Sequence, residues 1–259
     1  MAPGFIRPIS ANVSAVFNAA VKDRLMPCNP CAASIVRPPK LEDSTRGAWE
    51  PAVVLAVQDA LPKRYQLLVP LGAQCGPRQG EMLGLAVEHV DLFKRRVTVC
   101  RQVKVSPTNS LYFDLPKGAK TRLIDDVPKA LLVALSEHLR AYPAVEVALP
   151  WRSLQCREEV LRLVLTGREA RALNRNDINR LVWQPALRSA GLDTPREQGM
   201  HVLRHTFAAS LLGAGVSVER VARLLGHADL ASPRATTLTS CGAGAPDEHG
   251  DGRPLREQS

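Results

Sequence analysis

Residues His201–Asp229 constrain this chain more than any other stretch. They read His201-Val-Leu-Arg204-His205-Thr-Phe207, a run of small and apolar residues to Leu212, then Gly213-Ala-Gly215-Val-Ser217, then Val218-Glu-Arg-Val-Ala-Arg-Leu224-Leu225-Gly226-His227. His201 and Arg204 are three residues apart, which on a helix sets them on neighbouring rows of one face. Leu203, Phe207 and Leu211 continue an apolar stripe, and the two glycines break it. Ser217 then caps a second apolar-periodic helix, closed by Gly226 with an imidazole just beyond. Two short helices carrying polar residues at their ends are expected here.

A second constellation lies upstream. Cys75-Gly76-Pro77-Arg78-Gln79-Gly80-Glu81-Met82-Leu83-Gly84-Leu85 reads as a turn, an arginine at its exit and a short helix on which Glu81 follows Arg78 by one turn. Pro77 restricts Gly76. Val97–Val105 alternates as a strand, and Leu111–Phe113 and Leu123–Val127 are expected to pair with it. Between those two lies Leu115-Pro116-Lys117-Gly118-Ala119-Lys120-Thr121, a lysine-bearing turn.

Together these stretches resemble the tyrosine recombinases, the phage-integrase family. There a Gly-Leu-Arg-x-Gly-Glu box, a lysine in a β-turn, a His-x-x-Arg box, a Leu-Leu-Gly-His box and a downstream tyrosine belong to one DNA-cleaving site. Pro77 stands where the first box usually has Leu. The implied fold is a mainly α catalytic domain with a small three-stranded antiparallel sheet. The implied site is Arg78, Lys117 (with Lys120 as substitute), His201, Arg204 and His227, with Glu81 orienting a neighbour. Transesterification at a DNA phosphodiester builds charge on the non-bridging oxygens, and two guanidiniums suit it because each presents a planar fork that keeps its proton. Arg78 and Arg204 would supply that pair. Lys117 would protonate the leaving 5′-oxygen, His201 would bond the phosphate or take the nucleophile's proton, and His227 would donate to a phosphate oxygen.

The nucleophile departs from the family. Its tyrosine commonly follows the Gly-His within Thr-Thr-Leu-x-x-Tyr. Here Thr236-Thr237-Leu238-Thr239-Ser240-Cys241 keeps the frame with Cys241 in the tyrosine position, fourteen residues past His227, and the only tyrosines are Tyr65, Tyr112 and Tyr142. One base separates Cys from Tyr codons, while the Gly/Ala run that follows also fits a reading-frame slip. A thiolate is a poor match for phosphorus, and a Thr or Ser hydroxyl is a far weaker acid than a phenol. A nucleophile-deficient strand transferase is therefore expected.

The remaining chain reads around this centre. Ser10–Leu25 is one amphipathic helix, followed by Cys28-Asn-Pro-Cys31 and a stiff Arg37-Pro-Pro-Lys40 linker. Residues 1–40 are thus expected to be a remnant helix of the family's core DNA-binding domain plus linker, 41–230 the catalytic domain, and 231–259 a disordered tail. Helices are expected over Glu50–Ala60, Tyr65–Gly72, Pro128–Ala141 and Asn174–Ala190, with an irregular insert over Tyr142–Thr166.

Charge and composition set the partners. A formal charge of +9 and a pI near 9.6 favour a polyanion, here duplex DNA, with other recombinase subunits as further partners. No apolar run spans a membrane and no leader is legible, so a cytoplasmic protein without cofactor is expected. Cys28 and Cys31 lack a second metal-ligand pair, and Val202 stands where a zinc-protease helix would carry Glu, so no metal is expected. The rival reading is a helix-turn-helix transcription regulator, with Ser217 capping a recognition helix that carries Arg220 and Arg223 and no chemistry.

Overall fold

The computed structural model describes residues 3–33, 47–119, 121–192 and 198–226. The chain divides into two compact units, Met1–Arg46 and Gly47–Ser259.

The first unit holds one long helix, α1 (Pro3–Lys22), and a 3-10 turn over Pro30–Ala32. The helix starts seven residues before its apolar period becomes legible, since a proline at the first position gives up only an N–H that has no partner anyway. It ends before Leu25 because Arg24 turns left-handed at φ +58°. The Cys28–Cys31 segment is organised by Asn29, whose Nδ2 donates to the Ser14 carbonyl, Ser14 Oγ and Asn18 Oδ1 (3.1, 2.9 and 2.7 Å). Both cysteines are free thiols.

The second unit is mainly helical. Its helices are α2 (Pro51–Ala60), α3 (Leu68–Cys75), α4 (Gln79–Leu83), α5 (Lys129–Ala141), α6 (Arg175–Asp177), α7 (Gln184–Ser189), α8 (His201–Gly213) and α9 (Val218–Leu225). A π-helical stretch, Ile178–Trp183, joins α6 to α7. Apart from Gln74, α3 is apolar and most of it is buried, which suits a core helix rather than a surface one. Leu203 of α8, Leu131 and Leu135 of α5, and Trp183 fill the same core. Phe207, Val221 and Leu225 form a smaller cluster between α8 and α9.

The strands are β1 (Val90–Asp91), β2 (Arg96–Val99), β3 (Gln102–Val105), β4 (Leu111–Asp114), β5 (Arg122–Ile124), β6 (Val145–Pro150) and β7 (Glu158–Leu163). A three-stranded antiparallel sheet is present, in the order β1-β2-β5, but its membership differs from expectation. The Val97–Val105 run splits at Cys100–Arg101, and β3 pairs β4 in a ribbon of its own. The reason is Arg101, which falls in the same inward phase as buried Val97 and Val99. It leaves the sheet to meet Glu159 at 2.8 Å and to lie over the Trp151 ring at 5.5 Å.

The expected irregular insert is a second correction. Val145–Pro150 and Glu158–Leu163 form an antiparallel hairpin in register from Val145↔Leu163 to Pro150↔Glu158. Its alternation is hard to read because Glu146, Glu158 and Arg162 interrupt it and only Val147 and Leu163 are buried.

Candidate functional site

Arg78 is placed by a helix boundary. Gly76 ends α3 in the left-handed region at φ +64°, and an added Cβ would lie 2.4 Å from Phe207 Cδ1, so both the turn and its packing require glycine. Pro77 follows, and Arg78 then occupies the N-cap of α4. Glu81, three residues on, folds back to accept from the Arg78 amide (2.8 Å) and from Arg78 Nη1 (3.1 Å), the reach of a capping carboxylate.

Glu81 is fully buried because a second guanidinium covers it. Arg122 of β5 donates Nη1 to Oε1 at 3.1 Å and Nη2 to Oε2 at 2.6 Å, a planar fork on a planar carboxylate. Burial alone would raise the Glu81 carboxyl, yet Arg122 and Arg78 hold it below the ordinary carboxylate range. Arg122 stands outside every motif read from the sequence. The available signal is its phase: Arg122 and Ile124 share the inward face of a three-residue strand while Leu123 points out.

Arg204 lies in the core of α8, 3 % exposed. Its Nη1 donates to the Gly76 carbonyl at 2.8 Å and its Nη2 to the Leu225 carbonyl. One guanidinium thus ties the end of α3 to the last turn of α9. Burial, with the charges of Arg78 and Arg122, pulls its pKa down to about 9, while Glu81 opposes the shift. The group remains a cation at neutral pH. Two arginines, Arg78 and Arg122, therefore bond one buried carboxylate, with the Arg204 charge nearby, and the local charge is positive.

Arg78 also lines a cleft of about 740 Å³ together with Lys117, Gln79, Lys104, Arg152 and Arg175. Lys117 is exposed on a turn closed by the Ala119 amide donating to the Pro116 carbonyl (2.8 Å), with Gly118 at φ +87°. Asp114 is the one acid among the cleft's lining residues, and Lys104 pairs with it at 2.5 Å.

The remaining expected site residues are distributed differently. His201 opens α8 and is exposed; its ring meets that of His205 edge-on at 4.9 Å. His205 is exposed as well, because positions four apart share a helix row and Arg204 takes the inward one. Neither His201 nor Arg204 lines the cleft. Lys120, His227 and Cys241 lie outside the described residues. Among the described residues no cluster of three His, Cys, Asp or Glu is arranged to hold a metal, and no helix is long and apolar enough to cross a membrane.

Comparison with known proteins extends this geometry. A tyrosine recombinase XerC-like protein of Caldanaerobacter subterraneus subsp. tengcongensis is 26 % identical over 238 residues, covering 87 % of this chain and 59 % of that protein. Tyrosine recombinase XerC of Pseudomonas aeruginosa is 31 % identical over 179 residues, covering 69 % of this chain and 48 % of its own length. The chain thus spans about half to three-fifths of these curated relatives. Among solved structures, the Tn1549 transposon integrase in complex with a circular intermediate DNA gives a TM-score of 0.76 at 15 % identity, over 92 % of this chain and 74 % of that one. A lambda integrase dimer bound to a COC′ core site gives 0.54 at 16 % identity, over 96 % and 61 %. At such identities the likeness is one of fold. The phage integrase family model matches residues 51–235, most of the second unit and well over half of the sequence, and this chain belongs to that family.

Proposed function

We propose that residues 41–230 are the catalytic domain of a site-specific DNA recombination or integration protein of phage or mobile-element type, and that residues 1–40 belong to its core DNA-binding domain and linker. The observation that carries this reading is that Arg204 holds the Gly76 carbonyl, two residues before Arg78, and that Arg78 lines a cleft with Lys117. A duplex phosphate seated by Arg78 supplies the negative charge that three arginines and one glutamate leave unbalanced. Arg204 acts from beneath, fixing the backbone that presents Arg78. In the family's strand-cleaving step Lys117, on its exposed turn, would protonate the leaving 5′-oxygen, and His201 and His227 would bond the phosphate.

As this sequence stands, the strand-cleaving step has no phenol. Tyr65, Tyr112 and Tyr142 all precede His201, and none lines the cleft. A second copy of the same sequence brings none either. The protein therefore binds duplex DNA, alone or beside recombinase subunits that carry their own tyrosine, and forms no phosphate-linked intermediate.

The test is incubation of the purified protein with a nicked suicide duplex, followed by denaturing electrophoresis, alongside duplex binding across a salt series. Binding that weakens steeply with salt and no covalent band is the expected pair of results. A covalent band would refute the missing nucleophile, and a flat salt response would refute phosphate-dominated binding.

A further inference from the structure

The cleft is longer than one phosphate needs. Beyond Arg78 and Lys117, its lining includes two arginines that the motifs of the sequence do not touch, Arg152 and Arg175. Both are exposed at their side chains, and both are held by fixed backbone.

Arg152 sits where the β6–β7 hairpin turns. Its φ is +67°, a left-handed conformation that costs a non-glycine residue roughly 1–2 kcal/mol. The turn is docked on β4: the Arg152 amide donates to the Phe113 carbonyl at 2.6 Å, and Trp151 bridges to Phe113 beside it. Arg101, stacked over Trp151 and paired with Glu159, fastens the other side of the hairpin.

Arg175 follows Asn174, which caps α6 and donates to Asn109 Oδ1 at 3.0 Å. Gln79, the neighbour of Arg78, donates to the Arg175 carbonyl (3.4 Å) and exchanges hydrogen bonds with Asn179 (2.9 and 3.2 Å). The start of α6 is thereby stitched to the start of α4. No carboxylate among the described residues pairs with Lys117, Arg152 or Arg175, and the lone acid of the cleft, Asp114, is already taken by Lys104.

We propose that Arg152 and Arg175 form a second backbone-phosphate position in this cleft, gripping the duplex beside the phosphate that Arg78 seats. This rests on reading the cleft as a phosphate site. Its physical basis is spacing and charge: a duplex strand presents a phosphate about every 3.4 Å of helix axis, so a cleft that admits one phosphate meets its neighbours too. Phosphate contacts of this kind set register and orientation rather than sequence preference. The hairpin acquires a role as the rigid mount of Arg152.

The experiment compares the full chain with an Arg152→Gln/Arg175→Gln double variant, an Arg152→Lys/Arg175→Lys variant, and an Arg188→Gln/Lys129→Gln variant that removes the same charge away from the cleft. Affinity for a fluorescent DNA duplex is measured by anisotropy across salt concentrations. Removing the one phosphate position lowers the steepness of log K against log salt by about 0.9 and weakens binding on the order of tenfold. The lysine variant keeps the slope, and the Arg188/Lys129 variant changes it little. Equal losses in the two glutamine variants would overturn the second position while leaving salt-dependent binding by the parent, and with it the proposed function, intact. A parent that binds no duplex would remove both, and tighter binding to duplex RNA than to DNA would overturn the assignment of the grip to DNA.

Discussion

Both Nη atoms of Arg122 rest on both carboxylate oxygens of Glu81, at 3.1 and 2.6 Å, with the two side chains 5 % and 0 % exposed. The same carboxylate binds the amide and guanidinium of Arg78. An element of the lysine-turn sheet and the arginine box of α4 are thus joined through one buried charge pair. Glu81 opposes the effect of Arg78 and Arg122 on the Arg204 guanidinium.

Glu81→Gln keeps the shape of the side chain and removes that compensation. Breaking one member of a buried ion pair costs about 3–5 kcal/mol, because the stranded charge stays desolvated. The urea midpoint of the variant is expected to fall accordingly, and Arg122→Met added to it is expected to recover part of the loss. A Glu81→Gln midpoint indistinguishable from the parent's would show that the pair does not hold the fold.

Acid should unfold the protein in two steps. Burial lowers the His138 pKa, the bond to the Val164 carbonyl (3.1 Å) opposes, and Arg64 lowers it further; His89 is lowered by burial and Arg101. With folded pKa values below the ordinary 6.5, the unfolded chain binds more protons as pH drops past that value, so stability declines from there downward. The depressed Glu81 carboxyl adds a second decline that begins below its ordinary 4.5 and is complete once the folded group protonates. Melting temperature against pH checks both: His138→Gln flattens the upper step, Glu81→Gln the lower. A parent melting temperature that stays level from pH 7.5 to 5 would dismiss the histidine step.

The helical frame was legible because its signals are local. Ser217 caps α9 by accepting from the Arg220 amide, and Gly226 closes it at φ +68°, as the sequence suggests. Gly76 and Arg78 likewise mark the α3–α4 boundary by residue type. What stayed hidden depends on contacts distant in sequence. Arg122 meets Glu81 across 41 positions and Arg204 meets the Gly76 carbonyl across 128. Nor can periodicity show that Arg101 would abandon its strand for Glu159, since the pull comes from a hairpin 58 residues away.

Trp49 offers a test of how α8 is seated. Its ring stacks on Trp183 (5.9 Å, 15°), its amide donates to Thr206 Oγ1 at 3.0 Å, and its Nε1 donates to Gln198 Oε1 at 3.0 Å. Trp183 Nε1 completes the clasp on the Gln198 carbonyl at 2.8 Å. Trp49→Ala loses stack, bond and half-buried area together, about 2–4 kcal/mol. Trp49→Phe keeps the stack and loses one bond, about 1 kcal/mol. Equilibrium unfolding separates the two, and equal losses would mean that the stack contributes nothing beyond the hydrogen bond.

Gly226 and Gly191 provide a matched pair for the contact over Arg122. Both hold positive φ, +68° and +78°, so alanine at either meets the same left-handed penalty of about 1–2 kcal/mol. Only at Gly226 is the added carbon obstructed: it would lie 2.6 Å from Arg122 Cδ, whereas nothing lies within 4 Å at Gly191. The Arg122 stem cannot give way freely, because its guanidinium is fixed to Glu81 at both oxygens. Gly226→Ala should therefore cost a further 1–3 kcal/mol, roughly the penalty of overpacking a filled core. Arg122→Ala, by clearing the stem, should shrink the difference between the two alanine variants toward zero. If Gly226→Ala and Gly191→Ala destabilise equally in the parent background, the end of α9 does not rest on Arg122, and the link from α9 to the arginine cluster runs through Arg204 alone.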